Sequence, residues 1–175
     1  MKDSFIIRPP KPRIIKLGKA YMFIDSKPLR KQVNAKVKEI NENSVLPAPV
    51  LSEFSYENRD SLFPECEFID NYMSFDFYAA DYFISFSGYP TDENESRLTT
   101  IRLTTDKYSI YGISVGMMYC DADKIMKSFG FPKSTDSDKC CYSFPDIKIF
   151  FSVLNGIITQ TDIEIGTYYV GNKIY

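Results

Sequence analysis

Apolar and polar positions alternate through the last third of this chain. Ile147, Ile149, Phe151 and Val153 face one way, so Ile147 to Val153 reads as a strand with one buried side. Flanking runs at Cys140 to Phe144 and Ile157 to Ile165 complete a three-strand meander. Asn155-Gly156, between the last two, is the strongest short hairpin signal in the sequence. Ahead of the meander, Ala122, Ile125, Met126 and Phe129 follow i, i+3, i+4, i+7 spacing, which predicts a helix with one apolar stripe. Asp121 and Asp123 suit its positive end and Lys127 its negative end. Gly130 is placed to stop it, with Pro132 beyond. A strand from Tyr108 should lead into this helix through the tight turn Gly112-Ile113-Ser114-Val115-Gly116.

The first part of the chain carries a similar order of elements. Met1 to Arg13 holds three prolines and reads as an extended arm. Ile14 to Leu17 and Tyr21 to Ile24 are short strand candidates. Leu29, Val33, Val37 and Ile40 then share a helical face, predicting a helix from Pro28 to Asn41 with Asp25 or Ser26 as its cap. Ser44 to Pro64, with three prolines, reads as a loop. Strands are expected at Tyr72 to Tyr78, Tyr82 to Gly88 and Arg97 to Thr104. In the first, Met73, Phe75 and Phe77 oppose Ser74 and Asp76. In the second, Tyr82, Ile84 and Phe86 oppose Phe83, Ser85 and Ser87.

Side by side, both regions read as a helix followed by three antiparallel strands. The expected fold is therefore α+β: one antiparallel sheet, two helices packed on one face, and a degenerate tandem helix–three-strand repeat. An extended basic arm (residues 1–13) would precede a single domain (14–175) with pseudo-repeat units 14–107 and 108–175.

Length and composition agree with a packed domain. The chain has 175 residues, is 44% hydrophobic, and draws its 15% aromatic content from 14 Phe and 13 Tyr, residues that favour strands. Charge changes the picture more. The net value is -2, yet the first 38 residues carry eleven basic residues against Asp3 and Asp25, and the remainder is acidic. Two readings follow: the arm packs on the acidic body, or it engages an anionic membrane surface, cell-wall polymer or nucleic acid. Nucleic acid is disfavoured, because the aromatic strands lie in the acidic part. No stretch approaches the ~20 apolar residues of a transmembrane helix. The opening residues lack the apolar core of a signal peptide, so the chain is expected either in the cytoplasm or, if a signal was removed, in the cell envelope or secreted space.

Much chemistry is excluded by one absence, since the sequence contains no histidine. Gly112-Ile113-Ser114-Val115-Gly116 matches a nucleophile elbow in spacing but has no histidine base to activate the serine. Histidine-ligated metal sites are excluded. Cys66, Cys120, Cys140 and Cys141 do not form the paired knuckles of cysteine-only zinc sites. Adjacent Cys140 and Cys141 point to opposite faces of a strand, so free thiols are the default reading, with a bridge from Cys66 to one of them as the alternative. Gly18-Lys19 lacks the glycine loop of a phosphate-binding site. Carboxylates remain. Asp92, Glu93 and Glu95 could gather a hard cation, but a solvated hairpin loop that resists edge pairing is the favoured reading. Asp136 and Asp138 lack calcium-loop spacing. No cofactor is expected.

Gly112-Ile113-x-x-Gly116, the helix with Ala122, Phe129-Gly130-Phe131-Pro132, Tyr142-Ser143-Phe144 and the strand after Asn155-Gly156-Ile157 are similar to small repeat modules of uncharacterised bacterial cell-envelope proteins. The layout resembles the helix-plus-sheet modules of the β-lactamase-inhibitor-protein class and of small outer-membrane assembly lipoproteins. Leu17-Gly18-Lys19-x-Tyr21 and Pro28-Leu29 fit the opening of such proteins. Met118 stands where their helices often begin with Ser or Thr. The resemblance implies a non-catalytic protein-interaction module of the bacterial envelope or secreted space. A cytoplasmic immunity or antitoxin-like protein that binds a basic toxin is the first alternative, and a hydrolase using carboxylates alone is the second. The expected binding surface is the sheet face away from the helices, with Tyr72, Tyr78 and Phe83 as aromatic anchors for a protein partner. A second buried layer is the competing reading for these three.

Overall fold

A computed structural model describes residues 14–17, 20–23, 27–54, 59–71, 74–87, 96–134 and 140–166. Its elements run β1 (Ile14–Leu17), β2 (Ala20–Phe23), α1 (Lys27–Asn43), β3 (Glu53–Phe54), α2 (Arg59–Leu62), β4 (Glu67–Asn71), β5 (Ser74–Tyr78), β6 (Tyr82–Ser87), β7 (Ser96–Leu103), α3 (Tyr119–Ser128), β8 (Cys141–Phe144), β9 (Ile147–Leu154) and β10 (Ile157–Ile165). Among the described residues β1 and β2 pair only with each other. The remaining strands make one eight-stranded antiparallel sheet in the order β4-β5-β6-β7-β10-β9-β8, with β3 beside the start of β7. The molecule is thus α+β with an antiparallel sheet, as the sequence pattern predicts. The two meanders meet at β7 and β10, where Ile101 lies opposite Ile163 and Arg102 opposite Asp162.

One line of side chains crosses the whole sheet. Phe68, Phe77, Ile84, Ile101, Ile163, Ile149 and Tyr142 stand opposite one another on successive strands. All but the partly buried Phe68 are sealed from solvent, and the line shares one core with Val33, Val37 and Ile40 of α1 and Ala122 and Met126 of α3. Helical spacing in α1 and α3 and period-two spacing in the strands therefore converge on a common apolar interior.

Local sequence explains the ends of the elements. α3 closes in a Schellman motif: the Phe131 amide donates to the Met126 carbonyl, the Gly130 amide to that of Lys127, and Gly130 has φ +75°. At the other end Met118 occupies the N-cap and supplies no side-chain hydrogen bond. Asn155 (φ 52°) and Gly156 (φ 80°) form the hairpin joining β9 to β10, because a type I′ turn needs two successive left-handed residues.

Lys36 of α1 connects the two long helices. Its Nζ donates to Glu39 Oε1 and to the Phe129 carbonyl at the end of α3, both at 2.8 Å. It also lies 5.2 Å from the ring centre of Phe131 and 5.4 Å from that of Phe144. Its side chain is only 13% exposed. Tyr111 donates to the same Glu39 oxygen and stacks on Phe129 with ring centres 4.0 Å apart.

Several expectations need correction. Ser44 to Pro64 is not all loop: it contains β3 and α2, and it buries Val50 and Phe54. Asn41 holds Val50 through both its amide nitrogen and its amide oxygen, which ties this segment to α1. β4 lies outside every expected strand, and β5 covers Ser74–Tyr78 of the strand expected from Tyr72, with Tyr72 and Met73 outside the described residues. Tyr108 to Ile110 forms only isolated bridges, Val45 to Ser109 and Ile110 to Ile113, and no continuous strand. The arm and the expected caps Asp25 and Ser26 lie outside the described residues.

Candidate functional site: the open side of the sheet

Residues that alternate with the core line form the opposite side of the sheet. Two lines of them follow from the strand register. The first runs Glu67, Tyr78, Phe83, Arg102, Asp162, Phe150, Cys141. The second runs Ile69, Asp76, Ser85, Thr100, Glu164, Lys148, Ser143. Two of the three expected anchors are adjacent here: Tyr78 faces Phe83 across β5 and β6, with ring centres 4.7 Å apart. Tyr78 is 42% exposed and Phe83 is half-buried. Tyr72 lies outside the described residues, as do Asp92, Glu93 and Glu95.

At the centre of this face Arg102 Nε donates to Asp162 Oδ1 at 2.7 Å, and its guanidinium carbon lies 5.8 Å from the ring centre of Phe83. Gln160 Nε2 donates to the other Asp162 oxygen, also at 2.7 Å. Asp162 is 7% exposed, so both its oxygens are matched by donors in a largely desolvated setting. Asp76 is held similarly, by Asn71 Nδ2 and Ser85 Oγ, each at 2.6 Å. Both carboxylates are therefore occupied by structural donors.

The far end of the face is apolar. Leu154 lies opposite Ile157, which is bridged in turn to Met118. All three are large and exposed: Leu154 by 65%, Met118 by 49% and Ile157 by 42%. Sequence reasoning missed this group because Met118 reaches Ile157 only through the fold. The available signal was Leu154 and Ile157 themselves, apolar residues flanking a hairpin turn where solvent-facing positions are normally polar.

A second polar cluster lies between α3 and β8. The Tyr142 hydroxyl donates to Asp123 and lies 2.9 Å from that of Tyr119, while Lys127 pairs with Asp123 from one turn along. Burial, then the bonds to Asp123 and Tyr119, push the Tyr142 phenol far above its ordinary range. Lys127 and Tyr142 together hold the Asp123 carboxyl below its usual range. A phenol locked as a donor to a carboxylate anchors a strand to a helix and supplies no nucleophile.

Ser114 sits in a turn, not on an exposed nucleophile elbow: its carbonyl accepts from the Met117 amide, and the Gly116 amide donates to Ile158 on β10. All four cysteines are free, and Cys66 Sγ lies 3.3 Å from the Tyr82 hydroxyl. Burial, followed by that contact, raises the Tyr82 phenol well above its normal value. Among the described residues there is no acidic or thiol cluster able to hold a metal, and no helix long and apolar enough to cross a membrane.

No protein-family model matches this chain, and no curated protein or solved structure matches it.

Proposed function

We propose that this chain is a non-catalytic protein-interaction module that presents the open side of its sheet to another protein. One observation carries the reading: Tyr78 at one end, and Met118, Leu154 and Ile157 at the other, are exposed apolar side chains on the same face as the Arg102–Asp162 ion pair, whose carboxylate is buried and whose guanidinium is half-exposed. Apolar ends around a fixed polar centre are the composition of a recognition surface, in which aromatic and aliphatic anchors supply energy and matched charges supply register. The engaged carboxylates of Asp76 and Asp162 support binding in preference to acid–base chemistry. The resemblance to envelope modules supports a partner in the bacterial envelope or secreted space.

The test is affinity capture from native extract with immobilised wild type and a Tyr78→Asp/Leu154→Asp variant. Both positions are solvent-facing, so the melting temperature should change little. Wild type should retain a specific protein that the variant loses. Retention of the same proteins by a folded variant would remove this face from the function.

A further inference from the structure

We infer that the open side of the sheet is self-complementary and that its partner is a second copy of this chain, related by a two-fold axis running along the strands between β7 and β10. This inference rests on the reading of that face as a binding surface. A half-turn about such an axis lays the face against its own copy, with β7 over the partner's β10 and β6 over the partner's β9. Two-fold interfaces must match in this way, each patch contacting its counterpart. Strands so related stay nearly aligned, as in face-to-face sheet packing.

The register supplies the match. Arg102 and Asp162 are opposite each other across the axis. In the pair, Arg102 would therefore meet the partner's Asp162, and Asp162 the partner's Arg102. One step outward Phe83 would meet the partner's Phe150, because Phe83 neighbours Arg102 and Phe150 neighbours Asp162. In the adjacent line Ser85 and Asp76 would meet the partner's Lys148 and Ser143, which sets a cation beside a carboxylate. Positive therefore falls on negative and ring on ring. Guanidinium has five donors, and Nε is the one bonded to Asp162. Asp162 is 7% exposed and keeps its in-chain donors, whereas the Arg102 side chain is 48% exposed, so its other guanidinium nitrogens are the groups that would turn to the partner's carboxylate.

About that axis six strands overlap, β5, β6 and β7 of one copy on β8, β9 and β10 of the other, and β4 lies beyond the overlap. At about 4.8 Å apart the six span about 24 Å, and the eight-residue β7 and β9 are about 27 Å long. That footprint is about 650 Å², at the small end of the roughly 600–1,000 Å² one partner contributes to a specific interface.

The experiment is sedimentation equilibrium on the full chain, with thermal melts as a folding control. Wild type should sediment as a dimer. Arg102→Asp places like charges across the axis, and Asp162→Arg does the same with opposite sign. Each should weaken self-association by about a hundredfold. An equimolar mixture of the two folded variants should regain a dimer, because each face then meets its opposite. Phe150→Asp, which leaves the ion pair intact, should also be monomeric. A monomeric wild type would overturn the inference, as would single variants that still dimerise or a mixture that does not. A monomeric wild type that still captured a different protein through Tyr78 and Leu154 would leave the interaction-module reading standing.

Discussion

The two meanders build their interiors from different materials. On the β4–β7 side the core is aromatic. Phe54 lies 4.7 Å from Phe75, 5.2 Å from Phe86 and 5.7 Å from Phe77, while Phe63 and Phe68 each lie 5.0 Å from Phe77, measured between ring centres. On the β8–β10 side it is largely branched aliphatic: Ile147, Ile149, Ile158, Ile163 and Ile165, with Tyr142 and Phe151. Rings are wide and must be covered, so the first meander draws Phe54 and Phe63 from a long connection to close over it. Isoleucines interlock between neighbouring strands, and the second meander closes with one helix and the segment after it. A similar strand layout thus spreads its dependence over distant residues in one region and keeps it local in the other.

The most damaging way to break this contrast is Phe54→Ala. It removes the ring that four others touch, from a strand two residues long, and should cost about 3–5 kcal/mol in urea unfolding. Ile149→Val, at the centre of the aliphatic side, should cost only about 0.5–1.5 kcal/mol, because its neighbours can close on a missing methyl group. Equal costs would show that the two interiors bear load alike.

Tyr142→Phe sharpens the contrast next. It deletes the hydroxyl that joins β8 to Asp123 and Tyr119 and should cost about 1–2 kcal/mol at neutral pH. Asp123 titrates below its unfolded value, with Lys127 the larger cause and Tyr142 the second. Its contribution is therefore present above the unfolded carboxylate range and lost as pH falls through the folded one. The gap between wild type and Tyr142→Phe should narrow below about pH 4, within the usual carboxylate range. A gap independent of pH would detach the tyrosine from the carboxylate.

Thr161→Val is the smallest change and should stabilise. The Thr161 hydroxyl is buried on the aliphatic side and has no hydrogen-bond partner among the described residues, so replacing it with a methyl group should gain up to about 1 kcal/mol. A loss of stability would mean that the hydroxyl is satisfied in solution.

Legibility in the sequence followed the same division. The aliphatic meander was readable because Ile147, Ile149 and Phe151 alternate cleanly and Asn155-Gly156 marks its turn. α3 was readable from its apolar stripe and Gly130. The aromatic side was readable only where Phe75, Phe77, Ile84 and Phe86 alternate. β4 has two apolar residues, Phe68 and Ile69, on opposite faces, and β3 is too short to show any period, so neither left a pattern. Of the candidate face, the Tyr78–Phe83 contact followed from alternation and a hairpin-length link. The Arg102–Asp162 pair did not, since its partners are 60 positions apart and meet only through the register of β7 against β10.

Lys36 gives the fold a property that neither helix has alone. Its ammonium group completes the last turn of α3 from within α1, beneath two rings of the α3–β8 region. If α1 lifted away, it would strip a charge-assisted bond from α3, and if α3 unwound, Lys36 would lose the same bond and keep only Glu39 on its own helix. Partial opening of either helix is therefore penalised at the other, so amide protons in the two should exchange with solvent through a common large-scale opening and not by separate fraying.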